Sequence, residues 1–119
     1  DPELWIQLGR CYRKAGRPQD ADHTFARACE RFPDQEARFL WLRGRLAIRR
    51  KDWSHAYEYL NRSLALAPGS WRVHEDMGQA CLGLQNWGLA EDHIRRAAEL
   101  APLDKRDTVL ALLRRLPTD

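Results

Sequence analysis

An internal repeat of 34 to 35 residues runs along most of the chain and constrains its fold more than any other feature. Prolines, alanines and glycines each recur at this interval. Their columns are Pro33, Pro68 and Pro102, then Ala21, Ala56 and Ala90, and then Gly9, Gly44 and Gly78. Two further columns hold large apolar and small residues, and these are Phe25, Leu60 and Ile94, and Ala28, Ser63 and Ala97. A period in this range is typical of solenoids that stack copies of one supersecondary unit.

Each copy is predicted to be a pair of helices. The apolar residues of the first copy follow the i, i+3, i+4, i+7 spacing of a helix face in two successive runs. These runs are Leu4, Trp5, Leu8, Cys11 and Tyr12, and then Ala21, Phe25, Ala28, Cys29 and Phe32. The second run of each copy ends before the repeated proline, which lacks a backbone donor and cannot continue a helix. A last apolar face, formed by Val109, Leu112, Leu113 and Leu116, predicts a capping helix over about residues 107–116.

The repeated positions resemble the tetratricopeptide repeats, whose signature is Trp-x2-Leu-Gly-x2-Tyr, then Ala-x3-Phe, then Pro. The first copy matches the signature in full, with Trp5, Leu8, Gly9, Tyr12, Ala21, Phe25, Ala28 and Pro33. The other copies keep the Gly, Ala and Pro columns. They replace Trp5 by Leu40 and His74, and Tyr12 by Ala47 and Cys81. These departures fall at packing positions, and the resemblance extends over residues 2–104.

The resemblance implies an all-α fold, a right-handed superhelix of antiparallel helix pairs with about seven helices. We predict one domain over residues 1–119, with repeats at about 2–35, 37–70 and 71–104 and the capping helix after them. No polar helix precedes the first repeat, which begins at Pro2. We therefore expect a piece of a longer repeat protein, with an uncapped N-terminal face through which the chain can self-associate.

Composition excludes several classes of protein. The chain is 44% hydrophobic and 31% charged, which fits neither disorder nor a membrane span, since a span needs about 18 or more unbroken apolar residues. The three cysteines are Cys11, Cys29 and Cys81, an odd number without the spacing of a zinc site or a disulfide framework. This usage favours the cytoplasm or another reducing compartment.

The family geometry implies that the first helix of each pair lines the concave wall of the superhelix. The residues of that wall predicted to bind a peptide are Ile6, Arg10, Arg13, Arg38, Trp41, Leu42, Arg45, Arg49 and Arg72. Residues 36–70 carry a net charge of +4, from seven basic and three acidic side chains, whereas residues 71–104 carry −3, from three and six. Because arginine forks suit carboxylates, the expected partner is a protein or peptide with acidic and apolar residues.

Two other interpretations apply to side chains of this region. Arg43, Arg49, Arg50 and Lys51 also fit a solvated helix end that the helix dipole favours. Some members of the family clamp a terminal carboxylate with Lys, Asn, Asn, Lys and Arg, but those positions read Ile6, Arg10, Leu42, Arg72 and Asp76 here. At most one of them keeps its character, so this ligand is rejected. Of the five tryptophans, Trp5, Trp53, Trp71 and Trp87 are interpreted as packing residues and Trp41 as the exposed contact.

No catalytic or cofactor pattern stands out. The sequence has no paired histidine ligands at helical spacing and no Gly-rich phosphate loop, and the neighbours Ser54 and His55 do not face each other on a helix. We therefore expect no enzyme, metal, cofactor or small-molecule substrate. One alternative is a structural or self-associating segment of a larger bacterial protein. Residues 44–64 resemble a repeat of inner-membrane tetratricopeptide proteins associated with haem biosynthesis. RNA binding is the less favoured alternative, because the acidic third repeat interrupts a continuous track for phosphates.

Overall fold

A computed structural model describes residues 1–118, and seven α-helices make up most of them. They are α1 (Pro2–Lys14), α2 (Pro18–Arg31), α3 (Glu36–Arg49), α4 (Trp53–Leu66), α5 (Trp71–Gly83), α6 (Trp87–Leu100) and α7 (Leu103–Leu110). Two short 3₁₀ helices span Pro33–Gln35 and Ala111–Arg115. The described residues contain no β-strand.

The helices form three antiparallel pairs that stack in sequence order. Within each pair the helices pack along their length, and α2 and α4 each pack on the first helix of the next pair. Helix α3 also contacts α5, so these two first helices lie side by side along one wall. The molecule measures 46 × 25 × 24 Å, which is the shape of a short solenoid. The predicted all-α solenoid of helix pairs is confirmed.

Each pair is held close by a glycine of its first helix that faces a large residue of its second. A Cβ atom placed on Gly44 would lie 2.5 Å from the Leu60 side chain, and one on Gly78 would lie 2.6 Å from Ile94. A Cβ on Gly9 would overlap the Phe25 ring in the same way. The glycine column and the large apolar column of the sequence are therefore the two sides of one contact, made once in each pair.

The turns inside the pairs share one backbone geometry. Gly16, Lys51 and Gln85 occupy equivalent positions, and all three have positive φ angles, of 75°, 58° and 61°. The next residue of each turn donates its N–H back to a carbonyl of the first helix, at 2.8 Å from Arg17 to Tyr12. This arrangement caps the helix C-terminus. Only one of the three turns uses glycine, the residue that adopts this conformation without strain.

The C-terminal cap differs from its prediction in extent and form. The predicted helix over residues 107–116 begins earlier, at Leu103 directly after Pro102, and continues past Leu110 only as a 3₁₀ helix. The apolar face predicted for this cap nevertheless packs against the core. Val109 is fully buried, and the leucines packed around its cluster are Leu110, Leu112, Leu113 and Leu116.

The two ends of the stack leave apolar side chains exposed. Leu4 and Leu8 on α1 are 69% and 46% exposed, whereas Phe39 and Met77, at equivalent positions of later units, are fully buried. At the other end Trp87 is exposed, contrary to the packing role predicted for it. Its equivalent Trp53 packs against Gly83 of the following unit, and no such helix pair covers Trp87 within the described residues. Self-association through the N-terminal face stays a prediction.

In the described part of the chain, no helix combines the length and the apolar character that crossing a bilayer requires.

We expect Gly44→Ala to destabilise the fold by about 1–3 kcal/mol, because the new methyl group overpacks the crossing against Leu60. Gly88→Ala is the matched control, since it makes the same change within α6 where a Cβ meets nothing within 4 Å. The control should be neutral or stabilising by up to about 1 kcal/mol. Urea unfolding of both variants measures the difference, and equal losses of stability would contradict the proposed role of the glycine column.

Candidate functional site

Eight of the nine residues predicted to bind a peptide line two neighbouring cavities that share Trp41. The arginine cavity, of about 90 Å³, lies between the first two pairs. The residues of this prediction that line it are Arg10, Arg13, Trp41, Leu42, Arg45 and Arg49. The apolar cavity, of about 340 Å³, lies between the second and third pairs. Its wall includes Arg38, Trp41 and Arg72 from the prediction, together with Ala37, Ala67 and Val73.

The arginine cavity concentrates positive charge. Four arginines line it, and its lining includes no acidic residue. Among residues 1–118, Arg10, Arg13 and Arg49 form no ion pair, and only Arg45 lies near an acid, 3.7 Å from Asp76. Burial lowers the pKa of Arg49, and the charges of Arg13 and Arg45 lower it further. This repulsion means that an anion entering the cavity relieves electrostatic strain among the arginines.

Trp41 is engaged within the protein rather than free. Its indole Nε1 donates a hydrogen bond of 2.6 Å to the carboxylate of Asp76, which connects α3 to α5. The Arg45 guanidinium lies over the same ring, 5.2 Å from its centroid. The prediction of Trp41 as an exposed contact therefore needs correction, because the half-buried ring forms the wall between the two cavities.

Asp76 is an unusual acid, only 6% exposed. Its surroundings together raise its pKa to about 6. Burial is the largest cause and Glu75 also raises the pKa, whereas the Trp41 hydrogen bond and the Arg45 charge lower it. At neutral pH the carboxylate is therefore mostly ionised and accepts the indole N–H. A drop of about one or two pH units protonates it.

Ile6 is a correction to the predicted site. Its side chain is fully buried and belongs to the same core cluster as Phe25 and Phe39, so it cannot contact a partner. The helices α2 and α3 close over this face of α1, which a prediction from one helix register does not capture. Leu42 packs against the same cluster but remains partly exposed on the wall of the arginine cavity.

The remaining predicted arginines have partners of their own. Arg38 forms an ion pair of 2.9 Å with Glu3 on α1, with both side chains about half exposed. Arg72 lies over the neighbouring Trp71 ring, 5.1 Å from its centroid. Both side chains line the apolar cavity, and neither is one of the four arginines that line the arginine cavity.

Arg43 is a structural residue, and the solvated helix end that its position in the sequence also allowed does not apply to it. Its guanidinium donates to both oxygens of Asp22, at 2.9 and 3.1 Å, and to the Tyr59 hydroxyl at 3.0 Å, with only 16% of the side chain exposed. Burial acts to lower its pKa, but the hydrogen bonds and charge of Asp22 raise it. The signal was present, because the equivalent positions Leu8 and Met77 are apolar.

The paired histidines of the third unit hold α5 against α6. The Nδ1 atoms of His74 and His93 lie 3.2 Å apart, and His74 Nε2 lies 3.0 Å from the carbonyl oxygen of Pro68. Since a carbonyl only accepts, His74 donates from Nε2 and accepts from His93 at Nδ1. Burial lowers the pKa of both rings, which favours this neutral pair. No group of three or more potential metal ligands occurs among residues 1–118.

Comparison with known proteins identifies the family. A profile of the tetratricopeptide repeat matches residues 6–70, which is more than half of the chain. The chain belongs to the tetratricopeptide repeat family. Three repeats and a C-terminal cap account for its seven helices. The family consists of protein-interaction domains, and nothing in the match points to catalysis. No curated protein matches the chain significantly in overall sequence.

Several solved structures share the fold of this tetratricopeptide domain. The second such domain of human RPAP3, in complex with the HSP70 peptide SGPTIEEVD, matches with a TM-score of 0.84 and 15% identity over 100% of both chains. MamA of Desulfovibrio magneticus RS-1, from residue 41 to its end, matches with a TM-score of 0.74 and 20% identity over 98% of this chain and 73% of that one. The UNC-45 chaperone matches at 0.83 and 21% identity over 98% of this chain and 13% of its own. These identities show the shared fold.

We expect the stability difference between the wild type and Asp76→Asn to depend on pH. The pKa of Asp76 in the folded protein, about 6, lies above the ordinary 3.8, so the folded state binds a proton more tightly than the unfolded chain. The contribution of Asp76 to the unfolding free energy therefore rises as pH falls from about 7.5 to 4.5, by about 2 kcal/mol. Asparagine does not titrate and removes this rise.

Urea unfolding at several pH values measures this difference. The wild type alone is not a clean readout, because His74 and His93 have lowered pKa values and destabilise the fold over the same range as they become charged. Asp107→Asn, at an exposed position of α7, is the matched control and should give a far smaller pH dependence. A wild-type minus Asp76→Asn difference that stays constant with pH would show that the buried carboxyl is not the titrating group.

Proposed function

We propose that this chain is a protein-interaction scaffold that holds a partner segment with acidic and apolar residues across Trp41. An acidic side chain enters the arginine cavity, and a neighbouring apolar side chain enters the apolar cavity. The observation that carries the proposal is the convergence of four guanidinium groups on one small cavity without a carboxylate in its lining. Membership of a family of protein-interaction domains supports the same conclusion.

The chemistry of the two cavities fits such a segment. A guanidinium donates two parallel hydrogen bonds to a carboxylate, and each charged hydrogen bond contributes about 1.5–3 kcal/mol when partly desolvated. The arginine cavity is small, so it admits the tip of a side chain rather than a ring. The apolar cavity is several times larger, and Ala37, Val73 and the Trp41 ring give it an apolar wall.

The proposed mode differs from recognition of a free C-terminus. The RPAP3 domain is solved with an HSP70 peptide. In this chain, two positions of the family's carboxylate clamp are unsuited to that role, because Ile6 is buried and Asp76 is itself a carboxylate bonded to Trp41. The arginines of the first two repeats thus favour an internal acidic side chain.

A second candidate function is self-association within a larger assembly of repeats. The observation that favours it is the exposure of Leu4 and Leu8, since Phe39 and Met77, at equivalent positions of later units, are fully buried. Light scattering of the wild type and of Leu8→Glu tests it, since a concentration-dependent oligomer that the substitution disperses would support it. A membrane-associated bacterial parent protein and RNA binding remain weaker proposals, the latter because residues 71–104 carry a charge of −3.

We expect Arg13→Gln/Arg49→Gln to weaken binding of acidic peptides at least tenfold, a loss of about 1.4 kcal/mol. Peptides selected from a random display library on the wild-type chain provide the ligands, and fluorescence polarisation provides the affinities. The control variant, Arg31→Gln/Arg114→Gln, removes the same charge from exposed positions outside both cavities. The selected peptides should be rich in Asp or Glu beside apolar residues. Equal affinities for the two double variants would remove the cavity from the interaction.

A further inference from the structure

The arginine cavity holds more positive charge than one carboxylate can balance. One carboxylate has a single negative charge and two oxygens, and one guanidinium fork occupies both oxygens. Four forks line this cavity, and three of them, on Arg10, Arg13 and Arg49, have no ion pair among the described residues. A glutamate or aspartate of a partner would leave most of these donors and charges unsatisfied.

The protein itself supplies little compensation. Asp76 is the one acid within 4 Å of a guanidinium of this cavity in the described part of the chain. The carboxylate oxygen nearest to Arg45 is also the oxygen that accepts the Trp41 hydrogen bond at 2.6 Å. The pKa of Arg49 is lowered in part by Arg13 and Arg45, which places these three charges close enough to repel one another. The cavity is therefore built for a ligand with more than one negative charge.

We propose that the arginine cavity recognises a phosphorylated serine or threonine side chain of the partner segment, an inference that rests on the proposed function. At neutral pH a phosphoryl group carries a charge of about −1.5 to −2 and three strong acceptor oxygens, so it can accept from several guanidinium groups at once. Clusters of arginine are the usual protein environment of this group. The small size of the cavity fits a compact tetrahedral anion on a short side chain.

A peptide fits the surroundings of the cavity better than an RNA strand does. A strand presents phosphates at regular intervals and needs a continuous basic track. Here the four arginines of the arginine cavity lie on one side of Trp41. On its other side acids interrupt the basic side chains, because Arg38 is paired with Glu3 and Arg72 shares α5 with Glu75 and Asp76. A peptide needs only one phosphoryl group at the arginines, followed by an apolar side chain for the apolar cavity.

The test compares three versions of one degenerate peptide library, with serine, glutamate or phosphoserine fixed at the central position. Binding is followed by fluorescence polarisation and by the indole N–H signals of the ¹⁵N-labelled chain, in which Trp41→Phe assigns the Trp41 signal. We expect the phosphoserine library to bind at least tenfold more tightly than the glutamate library and to shift the Trp41 signal. Arg13→Gln/Arg49→Gln should abolish that preference, and Arg31→Gln/Arg114→Gln should preserve it.

The outcomes separate this inference from the proposed function. Equal binding of phosphoserine and glutamate peptides, lost in Arg13→Gln/Arg49→Gln, would overturn the phosphoryl inference and leave the acidic-peptide function intact. No response of any library to that variant would overturn both. Inorganic phosphate that shifts the Trp41 signal as strongly as the phosphopeptides would overturn recognition of a partner segment. A single-stranded RNA that displaces the phosphopeptides, with a steeper loss of affinity in salt, would overturn the choice of a peptide.

Discussion

The contact on which the rest of this structure depends is the close crossing of the two helices in each pair. A glycine of the first helix lets a large side chain of the second, such as Leu60 against Gly44, lie where a Cβ would be. Because the contact recurs once per repeat, all three pairs have nearly the same shape and stack with the same faces together. That regular stacking sets α1, α3 and α5 in order and opens the two cavities between neighbouring pairs.

The sequence predicted those features that depend on one repeat alone. The columns that include Gly44 and Leu60 predicted stacked repeats, and the helical spacing of apolar residues within one repeat predicted the helix pairs. Features that depend on two repeats were harder. Ile6 was predicted on the concave wall but is covered when α3 closes over it. For Arg43 a solvated helix end was left open as an alternative, whereas Asp22 of the preceding pair binds it. Both outcomes depend on which residues of a neighbouring unit contact the side chain, and the apolar pattern of one helix does not predict those contacts.

The candidate site combines charges of opposite sign from neighbouring repeats. The second repeat carries a charge of +4 and the third carries −3, and the boundary between them lies at Trp41. The indole bonds to the buried Asp76 on one side and supports Arg45 on the other. Arg13 and Arg49 line the arginine cavity and form no ion pair with the acidic repeat within the described residues.

The Trp41–Asp76 hydrogen bond also ties the binding surface to the geometry of the stack. The bond joins α3 of the second unit to α5 of the third, so the wall between the cavities belongs to two units at once. A change in the angle between these units would strain this hydrogen bond and alter the apolar cavity, whose wall comes from both units. Under the proposed function, the curvature of the solenoid between the second and third units would therefore affect how tightly a segment is held against Trp41, and a bound segment would stiffen that joint.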